Sequence, residues 1–140
     1  MSAHSAATIR IAIARQFLAF ASVGACGTAA HYATLITGVS LGVDPVPASA
    51  LGWTFGAVVN YSLNYRFTFR SRLSHRQAAP RFALVAATGL LLNTLLMAVQ
   101  VGPLGVHYLV AQIIATGTIL CCNFVLSRTW AFRERPRSSS

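Results

Sequence analysis

The sequence predicts an all-α integral membrane protein in which four transmembrane helices form two parallel two-helix repeats. The first reason is composition, because 55% of the residues are hydrophobic and only 9% are charged, which is unusual for a soluble domain. The second is that the apolar residues form four runs, each long enough to cross a hydrocarbon core about 30 Å thick. The third is charge placement, since every positive charge is an arginine at the same ends of those runs.

The four runs have no acidic residue in their interiors. Residues 41–46 and 103–106 contain proline and glycine, which interrupt helices, so we expect a short hairpin at each. Pro47 and Pro80 are predicted at the first helical positions of their runs, where a missing backbone N–H costs nothing. The runs cover residues 17–40, 47–68, 82–102 and 107–129.

The arginines predict the orientation of the chain. They precede the first run, lie between the second and third, and end or follow the fourth, whereas neither hairpin contains one. By the positive-inside rule, both termini and the central loop are cytoplasmic. Nucleic acid is excluded as a partner, because apolar runs separate the arginines instead of gathering them on a soluble surface. The predicted organisation is a cytoplasmic tail (1–16), repeat 1 (17–69), a basic cytoplasmic loop (70–81), repeat 2 (82–132) and a second cytoplasmic tail (133–140).

Each half of the chain ends in a related motif. The first is Asn60-Tyr-Ser-Leu-Asn-Tyr-Arg-Phe-Thr-Phe69, and the second is Asn123-Phe-Val-Leu-Ser-Arg-Thr-Trp-Ala-Phe132. Upstream, the match continues at a constant spacing of 63 residues, and the matched positions recur every fourth residue, so they share one helix face. The upstream pairs are Ala48 with Ala111, Gly52 with Ala115, and Gly56 with Ile119.

The first and third runs also repeat. Because each half holds two runs, both halves have the same orientation, and the axis relating them is predicted to lie along the membrane normal. The two motifs then reach the cytoplasmic interface together. The matched residues are Phe17, Gly24 and Thr28 in the first run and Phe82, Gly89 and Asn93 in the third.

These residues resemble the GtrA-like family of small four-span bacterial membrane proteins. The resemblance covers about residues 15–132 and rests on Arg15-Gln-Phe17, Arg81-Phe82, the glycines Gly24 and Gly89, and the two motifs. It implies flipping of a polyprenyl-phosphate-linked sugar across the bacterial cytoplasmic membrane, for cell-surface polysaccharide synthesis or modification, beside a glycosyltransferase. The alternative is a non-transporting anchor or recruiter of that enzyme. The chain departs from the family at His31, where many relatives carry an acidic residue.

Arginines are the predicted contacts to the lipid phosphate. Arg66 and Arg128 occur inside the repeated motifs, and Arg15 and Arg81 open the first and third runs at the same interface. A guanidinium group stays charged and binds phosphate through two parallel hydrogen bonds. The alternative is that these side chains only extend to the membrane–water interface and set the orientation of the helices in the membrane.

Amides and hydroxyls within the runs, most of them on the repeated face, predict a polar crevice. The functional interpretation is contact with sugar hydroxyls or phosphate, and the structural one is hydrogen bonding between helices. Gly52 and Gly56 are predicted to let two helices pack closely. His31 lies near the middle of its run, where it either pairs with a neighbouring helix or serves function. The crevice residues are Asn60, Asn64, Asn93, Asn123 and Ser127.

Several classes of protein are excluded by what the sequence lacks. No phosphate-binding Gly-Lys loop, paired carboxylates or nucleophile set occurs, so no catalytic residue, metal or cofactor is predicted and the protein is not expected to be an enzyme. A proton-coupled drug antiporter requires a carboxylate within a span, and the runs have none. Four short helices enclose little space, so we expect a homo-oligomer or a lipid whose tail stays among the membrane lipids.

Overall fold

The computed structural model describes residues 3–68 and 75–131, with their side chains except those of 3–5, 16, 20, 68, 75, 77–78 and 123–131. This part of the chain is all-α, as predicted, and contains no strand. The elements are α1 (Ala3–Ser40), α2 (Pro45–Leu63), a π-helical segment (Asn64–Thr68), α3 (His75–Val101) and α4 (Tyr108–Ala131).

The four helices alternate in direction. A turn containing Gly42 (φ 87°) joins α1 to α2, and one containing Gly105 (φ 62°) joins α3 to α4. Positive φ angles of this kind favour glycine, which has no Cβ to clash with the backbone. Near the second turn, Gln100 of α3 donates a hydrogen bond to the carbonyl of Ala111 in α4 (3.3 Å). Helix α1 packs on α2, α2 on α3, and α3 on α4.

The outer surface of the bundle is more apolar than that of a soluble protein. Large apolar side chains face outward on the helices, as Phe17, Leu84 and Ile113 do, each more than 60% exposed. Polar side chains in membrane helices instead face the bundle interior. Within the described residues, the buried polar side chains are His31, Ser49, Asn64, Asn93, Gln100 and Gln112.

Length and composition identify two helical stretches that could cross a membrane, Ala6–Ser40 and Ala79–Val101. A shorter apolar stretch covers Tyr108–Cys122, where the described side chains of α4 end. Together with the outward-facing apolar side chains, these stretches support a membrane protein. The count of four spans and the arrangement in two repeats stay predictions.

Some helix boundaries differ from those predicted. Helix α1 begins at Ala3, because the alanine-rich segment before the first run has no proline or glycine to stop it. Helix α3 begins at His75, inside the segment predicted as a loop. Pro80 therefore lies within α3 rather than at its first position, where it removes one helix hydrogen bond. Pro47 is likewise preceded in α2 by Pro45, which begins the helix.

Helix α2 continues into the π-helical segment, which holds half of the first motif. The side-chain amide of Asn64 donates to the side-chain oxygen of Asn60, four residues earlier. The Tyr61 ring packs against Tyr65 (centroids 6.0 Å apart) and against Phe82 of α3 (5.1 Å). Such local widening of a helix is frequent at functional sites. Sequence reasoning treated this stretch as an ordinary helix end.

Glycines allow α1 and α2 to approach closely. A Cβ added to Gly52 would lie 2.6 Å from the carbonyl oxygen of His31. One added to Gly56 would lie 2.5 Å from the carbonyl oxygen of Gly27. Because both neighbours are backbone atoms of α1, any side chain at these positions would push the two helices apart.

Candidate functional site

A crevice of about 550 Å³ lies between the helices, in the half of the bundle away from the two hairpin turns. All four helices contribute to its wall, through residues 24–31, 53–60, 82–92 and 119–122. The wall is mostly apolar, and its polar side chains include Thr28, His31 and Asn60. A mostly apolar cavity of this size with a few polar groups is typical of a small-molecule site.

The two seams between the halves of the chain are filled to different extents. At the α2–α3 seam, the indole of Trp53 lies against Gly89, and its Nε1 donates to the carbonyl of Ala86 (3.1 Å). The sequence matches pair these positions with Thr116 and Gly24 at the α4–α1 seam. Threonine is much smaller than tryptophan, and a Cβ on Gly24 would meet no atom within 4 Å. The second seam is therefore open where the first is filled.

Three fully buried side chains form a closed cycle of hydrogen bonds, which we name the polar triad. Ser49 of α2 donates to Gln112 of α4. Gln112 donates to Asn93 of α3 (2.8 Å), and Asn93 donates back to Ser49 (2.8 Å). Gln112 also donates to Thr116 (3.3 Å), whose hydroxyl pairs with that of Tyr32 on α1 (3.1 Å). This network ties all four helices together on the hairpin side of the crevice.

His31 lies in the crevice wall beside the network. The side chain is 5% exposed, and its Nε2 atom has no hydrogen-bond partner among the described residues. The imidazole meets the indole of Trp53 edge to face, with centroids 5.8 Å apart and planes at 80°. The aromatic contact and the adjacent glycine Gly52 fix where the ring lies.

The predicted crevice residues separate into two groups. Asn60 lines the crevice, and Asn64, which is buried, donates its hydrogen bond to Asn60. Asn93 instead belongs to the polar triad, because its carboxamide hydrogen-bonds side chains of two other helices. The side chains of Asn123 and Ser127 lie outside the described part of the structure.

The predicted phosphate contacts lie toward the end of the bundle opposite the hairpins. Arg66, in the π-helical segment, and Arg15, in α1, are both exposed. Arg81 is also exposed and directly precedes Phe82, which lines the crevice. The side chain of Arg128 lies outside the described residues, so its position relative to Arg66 stays a prediction.

Sequence reasoning missed the polar triad as a unit and missed the role of Trp53 between two helices. One signal for the triad was available, because Ser49 and Gln112 are polar residues at equivalent positions of two apolar runs. No sequence signal identifies Trp53 as the residue that fills a seam. An aromatic residue in an apolar run fits a membrane-interface position equally well.

The fold and the crevice define a helical membrane protein with a cavity of ligand size. A family comparison then makes the class specific. The chain belongs to the GtrA/DPMS transmembrane-domain family, whose model matches residues 19–132. That family connects the protein with the handling of sugars on glycosyl carrier lipids in the membrane. No curated protein and no solved structure shows significant similarity to the chain.

Proposed function

We propose that the protein flips a polyprenyl-phosphate-linked sugar from the cytoplasmic to the outer leaflet of a bacterial cytoplasmic membrane. The observation that carries the proposal is the crevice, which lies toward the arginine-bearing end of the helices and is bounded on the other side by the polar triad. A headgroup could enter from that end and stop at the network, which would have to open for release on the far side.

The size of the crevice supports a headgroup as the occupant rather than a whole lipid. The crevice volume of about 550 Å³ lies within the range of small-molecule cavities. It is too small to hold a long polyprenyl chain. The open α4–α1 seam, with Gly24 at its edge, would let the chain stay in the bilayer while the sugar enters. In this proposal the transporter is a homo-oligomer, both termini are cytoplasmic, and a membrane glycosyltransferase supplies the lipid.

The arginines supply the charge that a phosphodiester requires. We propose that Arg66 and Arg128 contact the phosphate from the two repeats, with Arg15 and Arg81 at the same interface. Guanidinium groups suit this role because they hold phosphate through paired hydrogen bonds. Asn60, which lines the crevice, would contact the sugar or phosphate next along the path.

A recruiter of a glycosyltransferase is the second candidate function. It is favoured by the basic segment between the two halves, where Arg76, near the start of α3, is exposed. Such a segment could hold an acidic partner without any ligand in the crevice. Arg70 and Arg72 precede it in the sequence.

Lysine substitutions separate these two functions. In proteoliposomes containing a labelled polyprenyl-phosphate sugar, Arg66→Lys and Arg128→Lys should each lower translocation severalfold, because lysine keeps the charge but loses the paired hydrogen bonds. The matched control is Arg76→Lys, which should translocate at the normal rate. Normal transport by the Arg66→Lys, Arg128→Lys double variant would refute the phosphate contact. A wild-type protein that binds a glycosyltransferase but moves no lipid would favour the recruiter.

A further inference from the structure

His31 is a buried polar residue that the packing of the bundle leaves incompletely paired. Buried polar atoms in proteins almost always have a hydrogen-bond partner, and leaving one without is unfavourable. Nε2 of His31 is the one buried side-chain nitrogen or oxygen without a partner in the described structure. The same side chain forms part of the crevice wall, although Nε2 itself is buried, so the crevice is the space beside the ring from which a ligand would supply the missing partner.

The position of the imidazole is prepared in advance. A Cβ on Gly52 would lie 2.7 Å from Cδ2 of the ring, the carbon bonded to Nε2, so the ring fits only because this position is glycine. Trp53 limits the ring on another side through its edge-to-face contact. Because the ring is already held in place, binding a ligand costs little additional side-chain conformational entropy.

The structure assigns His31 as a ligand-binding residue: we propose that its Nε2 atom hydrogen-bonds a hydroxyl group of the lipid-linked sugar. This inference rests on the proposed function. A neutral imidazole has one nitrogen that donates and one that accepts, and a hydroxyl can pair with either. The oxygens of a phosphodiester only accept hydrogen bonds. A sugar hydroxyl therefore pairs with Nε2 in either tautomer of the imidazole, whereas the phosphate pairs only with the tautomer in which Nε2 carries the proton.

The location of His31 gives the depth that the sugar reaches. Gly52 and His31 lie side by side, and Ser49 of the polar triad is one helical turn from Gly52 toward the hairpins. The sugar therefore reaches the network, while the phosphate stays nearer the arginines. His31 would recognise the sugar, and the arginines would recognise the phosphate that all polyprenyl phosphates share.

Binding measurements can isolate the sugar contact from the phosphate contact. The purified full-length protein is titrated with a polyprenyl phosphate and with the same lipid carrying glucose, mannose or N-acetylglucosamine. We expect the wild type to prefer at least one glycosylated lipid. His31→Leu should lower the affinity for that lipid about tenfold, the effect of one buried hydrogen bond, and leave the affinity for the bare phosphate lipid unchanged. His31→Gln, which retains a donor and an acceptor, should recover part of the difference.

The control is His107→Leu, which removes an exposed histidine next to the second hairpin turn and should not alter binding of either lipid. If the wild type binds none of the lipids, the proposed function itself fails. If it binds the bare and glycosylated lipids equally, or if His31→Leu and His31→Gln both keep the full sugar preference, only the role of His31 fails. If His31→Leu and His31→Gln both lose affinity equally for the bare and the glycosylated lipid, His31 has a structural role, and this result would also overturn the inference.

Discussion

Ser49 donates a hydrogen bond to Gln112, the residue 63 positions later in the chain. This is the same spacing that relates the two sequence motifs, so residues at equivalent positions of the two halves meet inside the bundle. Two equivalent residues can touch only near the axis that relates them. The arrangement in parallel repeats stays a prediction, and in it the polar triad would lie close to that axis.

The polar triad should stabilise the bundle as a unit. Asn93→Leu keeps the branched shape of the side chain but leaves Ser49 and Gln112 each short of a partner, and we expect a loss of about 1–3 kcal/mol in the free energy of unfolding. Thermal unfolding in detergent measures the loss. Gln112→Leu should be similarly destabilising, and the double variant should lose less than the sum because the partners are shared.

The control for the triad is Thr118→Val, since Thr118 is exposed and its hydroxyl bonds to the carbonyl of Ile114 in its own helix. That change should stay within about 0.5 kcal/mol of the wild type. Additive effects of Asn93→Leu and Gln112→Leu would show that the cycle of hydrogen bonds is not a cooperative unit.

Close packing of α1 on α2 should make Gly52 intolerant of any side chain. Gly52→Ala puts a Cβ against the carbonyl oxygen of His31, and overpacking of this kind should cost about 1–3 kcal/mol. The matched control is Gly117→Ala on α4, where an added Cβ meets no atom within 4 Å. The melting temperature of each variant in detergent tests the contrast, and equal values for the two would contradict the described interface.

Both hairpins should be extracytoplasmic and both termini cytoplasmic, because the arginines lie on one side of the predicted spans. In a background without Cys26, Cys121 and Cys122, cysteines at Ser40 and Gly105 should react with a membrane-impermeant thiol reagent in intact cells. A cysteine at Ser139 should react only after the membrane is permeabilised. The reverse labelling pattern would invert the topology and with it the proposed direction of transport.

Much of the fold could be predicted from the sequence, because long apolar runs broken by proline and glycine leave few alternatives. The helix starts were harder to place, as Pro80 shows, since a proline can be tolerated within the early part of a helix. The π-helical segment could not be predicted either. The segment contacts both α1 and α2, and no local pattern encodes those contacts.

The candidate site was predicted only in part. The recurring small residues and Asn60 identified a helix face that the structure places at the crevice and at the α1–α2 interface. The crevice itself is enclosed by residues of all four helices, and which of them face it is decided only once the helices are packed. Asn93 was predicted to line the crevice, because its partners on other helices are not visible in the sequence. Its hydrogen bonds across the bundle place it in the polar triad.

The central claim is that the crevice is the path of a lipid-linked sugar. Translocation in proteoliposomes tests it most directly when the crevice is filled without disturbing the fold. Gly24→Leu adds a side chain into open space in the crevice wall, and Gly117→Leu adds the same side chain into open space on α4 away from it. We expect Gly24→Leu to lower the translocation rate at least tenfold and Gly117→Leu to match the wild type, both with wild-type melting temperatures. Wild-type translocation by a folded Gly24→Leu protein would contradict the account.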